Sequence, residues 1–83
     1  MKALGTIPGY KWIEIVPGRC GGRPTIRGTR VTVDDILEAL ANGWDIREVA
    51  ENYRIPLEAV QEALRFALET VRKGEIIAAE ATS

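Results

Sequence analysis

At 83 residues and 46% hydrophobic content, the chain can bury one small core, so we expect a single domain. One cysteine and no histidine exclude an internal disulfide framework, a metal site built from both residue types and a histidine-based catalytic group. The net charge of −1 hides an asymmetry, because residues 1–33 carry six basic residues and one acid, whereas residues 34–83 carry five basic residues and eleven acids. Opposite halves of this kind favour self-association, or a partner that meets one half only.

The sequence contains no apolar run of about 18 residues, which predicts that the chain has no membrane span. No signal peptide is expected ahead of the fold, and a cytoplasmic location is therefore the default expectation. Asp34, Asp35 and Glu38 share one predicted helix turn, but no base, nucleophile or phosphate-binding loop converges on them. We therefore expect neither a cofactor nor enzyme activity.

Residues 1–31 are predicted to form short strands and a basic arm. Residues 11–16 alternate and are rich in strand formers, which predicts a strand that ends at Pro17-Gly18 and is followed by a flexible loop at residues 20–22. Arg27-Gly28 predicts a tight turn between two extended segments, with Gly28 at positive φ. Because a two-stranded piece is marginal in water, it must lie on the helices or pair with a second chain, which is an argument for a dimer.

Four arginines in this arm have no acid among them: Arg19, Arg23, Arg27 and Arg30. The guanidinium group is planar, stays charged and binds phosphate or carboxylate through two parallel hydrogen bonds. The cluster could therefore bind nucleic acid, or it could anchor the protein in an acidic pocket of another protein. A third interpretation is structural, in which one or two of these side chains cap loop carbonyls or pair with glutamates of the acidic half.

Residues 32–74 are predicted to form three helices with clear beginnings and ends. Thr or Asp followed three residues later by an acid forms a capping box, Pro suits the start of a helix, and Gly suits its end. The expected signals are Thr32 with Asp35, Asn42-Gly43, Asp45 with Glu48, Pro56 and Gly74. On the third helix, one apolar stripe is expected to face the core: Val60, Ala63, Leu64, Ala67, Leu68 and Val71.

The second and third helices read as a helix-turn-helix that begins at Ile46. The motif places Val49, Ala50 and Tyr53 of its first helix toward the core, with a small residue at Ala50 where the two helices cross. Ile55 fills the turn, and the second helix returns Val60 and Ala63 to the core. The predicted fold class is therefore mainly α, with a three-helix core preceded by short N-terminal strands.

The third helix is longer than reading a DNA groove requires. From about residue 57 to residue 73 it spans roughly 25 Å at 1.5 Å per residue. Phe66 falls off the apolar stripe, so it either forms a second contact surface or packs under the N-terminal arm. Residues 75–83 resemble a frayed terminus with one apolar pair, Ile76-Ile77.

If the motif reads DNA, the exposed start of the third helix carries Glu58, Ala59, Gln61, Glu62 and Arg65. Gln61 could read adenine and Arg65 guanine, while Arg47 and Arg54 contact the phosphate backbone. Two of the five surface positions are acidic, however, and acids oppose approach to phosphate. The arginines of the arm would have to compensate for them.

Residues 21–33 read GGRPTIRGTRVTV, and residues 35–37, the Asn42-Gly43 stop and residues 48–53 continue the pattern. Together they resemble the small proteins of domain-of-unknown-function family 433, over about residues 12–70. The resemblance implies a homeodomain-like three-helix fold preceded by short strands. It also implies a VapB-like antitoxin, since members are commonly described in that way and are encoded beside toxins with a PIN-like ribonuclease domain.

Three functions follow as hypotheses. In the first, a homodimeric antitoxin binds and inhibits a PIN-like nuclease toxin and also regulates its own operon. Arginines of the arm would meet the carboxylates of the nuclease, and the apolar residues Phe66, Ile76 and Ile77 would supply buried area. In the second, the protein is a stand-alone DNA-binding regulator. In the third, it is an assembly module that binds no DNA.

Overall fold

The computed structural model describes the backbone of residues 5–82 and the side chains of residues 7–74. Short strands precede three helices, which confirms the predicted fold class. The elements in chain order are β1 (Gly5–Thr6), β2 (Ile13–Ile15), a 3-10 turn (Cys20–Gly22), β3 (Thr25–Ile26), α1 (Val33–Ala41), α2 (Ile46–Tyr53) and α3 (Leu57–Thr82).

The strands form one antiparallel sheet in the order β1-β2-β3, with Ile13 opposite Ile26. The side chains of Ile13 and Ile26 are buried in the core, so the sheet lies on the helices, as expected for a piece too small to be stable alone. Gly28 has a φ of +75°, which confirms its predicted turn conformation. The predicted strand after this turn is reduced to a single bridge between Thr25 and Thr32.

The expected flexible loop at residues 20–22 is instead a 3-10 turn. The amide of Gly22 donates to the carbonyl of Arg19 at 2.9 Å, and the amide of Arg23 donates to the carbonyl of Cys20 at 3.3 Å. Cys20, Gly21 and Gly22 all have positive φ angles in this turn. The prediction was wrong because glycines permit flexibility but also permit tight turns that backbone hydrogen bonds can fix.

Helices α1 and α2 begin at the predicted capping boxes. The Thr32 hydroxyl accepts from the amide of Asp35 at 2.9 Å, and the Asp35 carboxylate accepts from the amide of Thr32 at 3.0 Å. Asp45 and Glu48 form the same reciprocal pair at 2.8 Å in both directions. Helix α1 ends at Asn42, after which Gly43 takes a φ of +100°. These local signals alone set three of the helix boundaries.

The turn between α2 and α3 has the predicted helix-turn-helix packing. Val49 and Val60 are fully buried, and Ala50 and Ala63 lie with them in the core. Ile55 is buried in the turn, where its amide donates to the carbonyl of Ala50 at 3.0 Å. Arg54 ends α2 in the left-handed conformation with a φ of +58°. The small side chain at Ala50 allows the two helices to meet closely there.

Helix α3 does not end at Gly74 as predicted, but continues to Thr82. A glycine inside a helix costs only about 1 kcal/mol relative to alanine, and residues with high helix propensity follow it. The helical residues on either side of Gly74 therefore determine its backbone conformation. The predicted frayed tail is thus helical through residue 82.

The apolar stripe of α3 faces the core at fewer positions than predicted. Val60 and Ala63 are fully buried, whereas Leu68 is 48% exposed and Val71 is 60% exposed. Ala59, expected on the surface, is also fully buried. The core therefore covers the first half of α3 on a face that includes Ala59, and the stripe continues beyond the reach of that core.

Candidate functional site

The N-terminal segment crosses α3 and is held there by three side chains of that helix. The Glu62 carboxylate accepts from the backbone amides of Lys11 at 2.9 Å and Trp12 at 2.6 Å. The Arg65 guanidinium donates to the carbonyl of Gly9 at 2.7 Å and lies 4.2 Å from the ring centroid of Tyr10. The Tyr10 hydroxyl donates to the carboxylate of Glu69. We call this arrangement of residues 9–12 with Glu62, Arg65 and Glu69 the clasp.

The ring of Tyr10 is the apolar part of the clasp. It is buried and meets Phe66 edge to face, with ring centroids 5.4 Å apart. Phe66 is half-buried against the core, which agrees with the alternative that placed it under the N-terminal arm. Burial, followed by the hydrogen bond to Glu69, raises the pKa of Tyr10 above its ordinary value of 10.0.

A second site is the arginine turn, which we define as residues 23–30. The Glu14 carboxylate accepts from the amide of Gly28 at 3.0 Å and from the guanidinium of Arg19 at 2.8 Å. The amide of Arg27 donates to the carbonyl of Trp12 at 2.7 Å. The contacts of Gly28 with Glu14 and of Arg27 with Trp12 join the turn to strand β2 and to the residue before it. They therefore fix the backbone that carries Arg27.

The four arginines of the arm have different environments. Arg19 is half-buried in its pair with Glu14, which is a structural role, but its partner belongs to the N-terminal arm and not to the acidic half named in the sequence-based alternative. Arg23, Arg27 and Arg30 are exposed around the arginine turn. Arg23 approaches Asp34 at 3.9 Å, but both side chains are mostly exposed, so the pair contributes little to stability. The turn therefore carries three exposed arginines within residues 23–30.

The candidate DNA-binding residues differ in their contacts. Arg47, Arg54 and Gln61 are exposed, but Arg65 lies in the clasp. Ala59, assigned to the same face, is buried, and Glu62 binds the N-terminal segment. Residues 9–12 thus contact the edge of α3 that carries Arg65, although the Arg65 side chain is still 46% exposed.

An apolar groove of ≈ 250 Å³ lies between α1 and the middle of α3. Its mouth is open, and one carboxylate, Asp34, stands on its rim. The apolar residues that line it are Pro24, Val33, Leu37, Phe66, Ala67 and Val71. The side chains of Ile76 and Ile77, predicted to supply apolar area to a partner protein, lie outside those that the structure describes.

The acids of α1 have separate environments. Asp35 completes the capping box of α1, while Asp34 and Glu38 are exposed. Among the residues that the structure describes, no group of three or more cysteine and acidic side chains is placed to hold a metal ion. Within the same residues, none of the helices could span a bilayer.

Sequence reasoning missed the residues of the clasp. Glu62 and Arg65 were assigned to a DNA-facing surface, and no role was assigned to Tyr10 or Glu69. Their contacts join residues more than fifty positions apart in the chain, and no local pattern encodes such a pairing. The only available signal was the run of charges on α3 at helical spacing, from Glu62 through Arg65 to Glu69.

A small helix-turn-helix domain with a sheet-borne arginine turn is the class of protein that this fold and site define. The model of the family described as "Protein of unknown function (DUF433)" matches residues 13–67, more than half of the chain, and the protein belongs to that family. A crystal structure of a DUF433 member protein from Anabaena variabilis is similar, with a TM-score of 0.68 and 28% sequence identity. The similarity covers 81% of this chain and 67% of that one. No curated protein matches the chain significantly.

Proposed function

We propose that this protein is a non-enzymatic, VapB-like antitoxin that binds and inhibits a PIN-like ribonuclease. The observation that carries the proposal is the arginine turn, in which Arg23, Arg27 and Arg30 are exposed on a backbone fixed by Glu14. A cationic surface of this kind matches an active site made of carboxylates. The resemblance of residues 21–33 to antitoxins of the family points to the same class of partner.

The chemistry of inhibition follows from what a guanidinium group can do. PIN-like nucleases hold their metal ions with clustered carboxylates, and arginine binds a carboxylate through two parallel hydrogen bonds. An arginine inserted among those carboxylates would replace the charge of the metal ion and keep the metal out. Because Glu14 already fixes the turn, little conformational entropy is lost when it docks.

The decisive experiment reverses charge on the turn. The variant R23E/R27E should lose at least about 100-fold in affinity for the nuclease encoded beside this gene, because each reversal replaces attraction with repulsion in a desolvated site. Inhibition of RNA cleavage should be lost in parallel. The matched control is R47E/R54E, which makes the same charge change on the helical body.

The control variant distinguishes a direct contact of the arginine turn with the nuclease from an effect of net charge on affinity. If R47E/R54E weakens binding as much as R23E/R27E, net charge rather than the turn controls affinity. If R23E/R27E binds and inhibits like the wild type, the arginine turn is not the inhibitory element and the proposal fails. Circular dichroism of each variant checks that the helices are intact.

DNA binding is a second candidate function, supported by the helix-turn-helix packing and by the exposed residues Arg47, Arg54 and Gln61. The clasp weighs against it, because Arg65 and Glu62 already bind the N-terminal segment. About four phosphate contacts would make log affinity fall with log salt at a slope of roughly −4. A titration with operator DNA that shows no binding at low ionic strength would exclude this function for the isolated protein.

A further inference from the structure

Helix α3 is longer than its contact with the core of the domain. Its 26 residues span about 39 Å at 1.5 Å per residue. Among residues 57–74, whose side chains the structure describes, the buried ones are Ala59, Val60 and Ala63, all near the start of the helix. The radius of gyration is 13.7 Å, whereas a compact chain of this length has about 12 Å. From residue 64 to residue 74, the described part of α3 therefore runs past the core without a fully buried side chain.

This part of α3, residues 64–74, keeps an apolar stripe. Leu64 and Ala67 are half-buried, and Leu68 and Val71 continue the same helical spacing with exposures of 48% and 60%. Helices gain most of their stability in proteins from packing such a stripe against another element. Among the described residues, no element of this chain covers Leu68 or Val71.

The groove beside this stripe supplies a complementary shape. It lies between α1 and α3, is lined almost wholly by apolar side chains and includes Val71 in its wall. On its α1 side, the exposed carboxylate of Asp34 stands on the rim. An occupant should therefore be an apolar helix with basic residues near its contact stripe.

The chain itself contains such a helix. Arg72 and Lys73 are exposed and directly follow Val71 on α3. We propose that a second copy of this chain occupies the groove, with the two α3 helices antiparallel about a two-fold axis near Thr70. Each copy then gives its Leu68–Val71 edge to the groove of the other, as an isologous interface requires.

The charges agree with this arrangement. In an antiparallel pair centred near Thr70, Arg72 and Lys73 of one copy lie over the part of α3 around Ala67 in the other copy. Ala67 and Asp34 both line the groove, Ala67 on its α3 side and Asp34 on its α1 side. The basic residues of each copy thus face the acidic rim of the other. The apolar contact also adds burial that an 83-residue core cannot supply by itself.

Analytical ultracentrifugation of the isolated chain tests the proposal. The wild type should sediment as a dimer at tens of micromolar, and Leu68→Lys should weaken association by about tenfold or more, because a charged group replaces a buried apolar one. Leu57→Lys is the matched control. It makes the same substitution on the same helix at a residue of similar exposure, 39%, at the opposite end from the groove.

Charge variants supply a second measurement that does not depend on apolar contact. Asp34→Lys and Arg72→Glu should each weaken the dimer severalfold, and the double variant D34K/R72E should recover most of the loss because the pair is restored in reverse. Both positions are exposed, so the folded monomer should tolerate each change.

Each outcome decides the proposal. Loss of the dimer in Leu68→Lys but not in Leu57→Lys, with recovery in the charge-swapped double variant, supports it. A wild type that stays monomeric up to about 0.5 mM overturns it, as does a dimer that survives Leu68→Lys or dissociates equally with Leu57→Lys. No nuclease is present in this experiment, so its failure would leave the arginine turn and its proposed partner untouched.

Discussion

The helical body and the N-terminal segment are held by contacts of different range. Helices α1 and α2 each begin with a capping box whose two residues are three positions apart, Thr32 with Asp35 and Asp45 with Glu48. The N-terminal segment is held by Glu62, Arg65 and Glu69, which lie fifty or more positions away in the chain. The body can therefore form its helix ends locally, whereas the segment becomes ordered only when α3 is in place.

This difference explains how charged residues on a helix surface can be structural. Glu62 satisfies two backbone amides at the point where the segment crosses α3, which is the role that a cap plays at the end of a helix. Strand β2 then carries Ile13 into the same core as α1, α2 and α3. The two regions share one core even though different contacts define them.

The largest expected effect comes from emptying that shared core. Ile36→Ala in α1 and Ile26→Ala in β3 both truncate side chains that are at most 1% exposed, and each should cost about 2–5 kcal/mol of unfolding free energy. Urea unfolding should show one transition by both circular dichroism and tryptophan fluorescence. If Ile26→Ala instead shifts fluorescence alone, the segment unfolds separately and the shared core is not cooperative.

Removal of the carboxylate that holds the segment should have the next largest effect. Glu62→Ala leaves the amides of Lys11 and Trp12 without their acceptor and should lower the free energy of unfolding by about 1–3 kcal/mol. Glu58→Ala is the control on the same helix, since Glu58 is exposed and its loss should change stability by less than about 0.5 kcal/mol. Equal effects of the two variants would mean that the clasp contributes nothing specific.

A local cap should matter somewhat less. Thr32→Ala removes the side chain that accepts from the amide of Asp35, and it should cost about 0.5–2 kcal/mol. Thr32→Ser keeps the hydroxyl and should retain most of the wild-type stability. Thermal unfolding followed at 222 nm measures both variants, and a Thr32→Ser as unstable as Thr32→Ala would assign the loss to the methyl group instead of the cap.

These contacts also mark what the sequence could predict. Thr32, Asp45 and Gly43 act through neighbours a few residues away, so their patterns were sufficient to locate the helix ends. Helical periodicity did not show where the core stops, which is why Leu68 and Val71 were wrongly placed inside it. The point on α3 at which the core ends depends on the lengths of α1 and α2 and on their packing, which helical periodicity does not encode.

The candidate site divides in the same way. The arginine turn is continuous in sequence, and the positive φ of Gly28 was predicted from its dipeptide. Arg65 was assigned to DNA because its position on α3 suits base reading, and no local pattern indicated that it also contacts the carbonyl of Gly9 and the ring of Tyr10. A side chain with several possible partners can be assigned only when the three-dimensional neighbours are known.

The smallest effect is expected at Tyr10 and depends on pH. Tyr10→Phe removes the hydrogen bond to Glu69 and should cost about 0.5–1.5 kcal/mol near neutral pH. Because burial and Glu69 raise the pKa of Tyr10, the folded protein keeps the phenol proton to a higher pH than the unfolded chain does. The contribution of this group is therefore complete below a pH of about 10, the pKa of an unfolded tyrosine, and is lost as the pH rises through the pKa of the folded state.

Urea unfolding of wild type and variant between about pH 7 and pH 11 should show a stability difference that is constant up to about pH 9.5 and then shrinks or reverses sign. A difference that stays constant through pH 11 would mean that Tyr10 titrates alike in both states and that the clasp does not bury it.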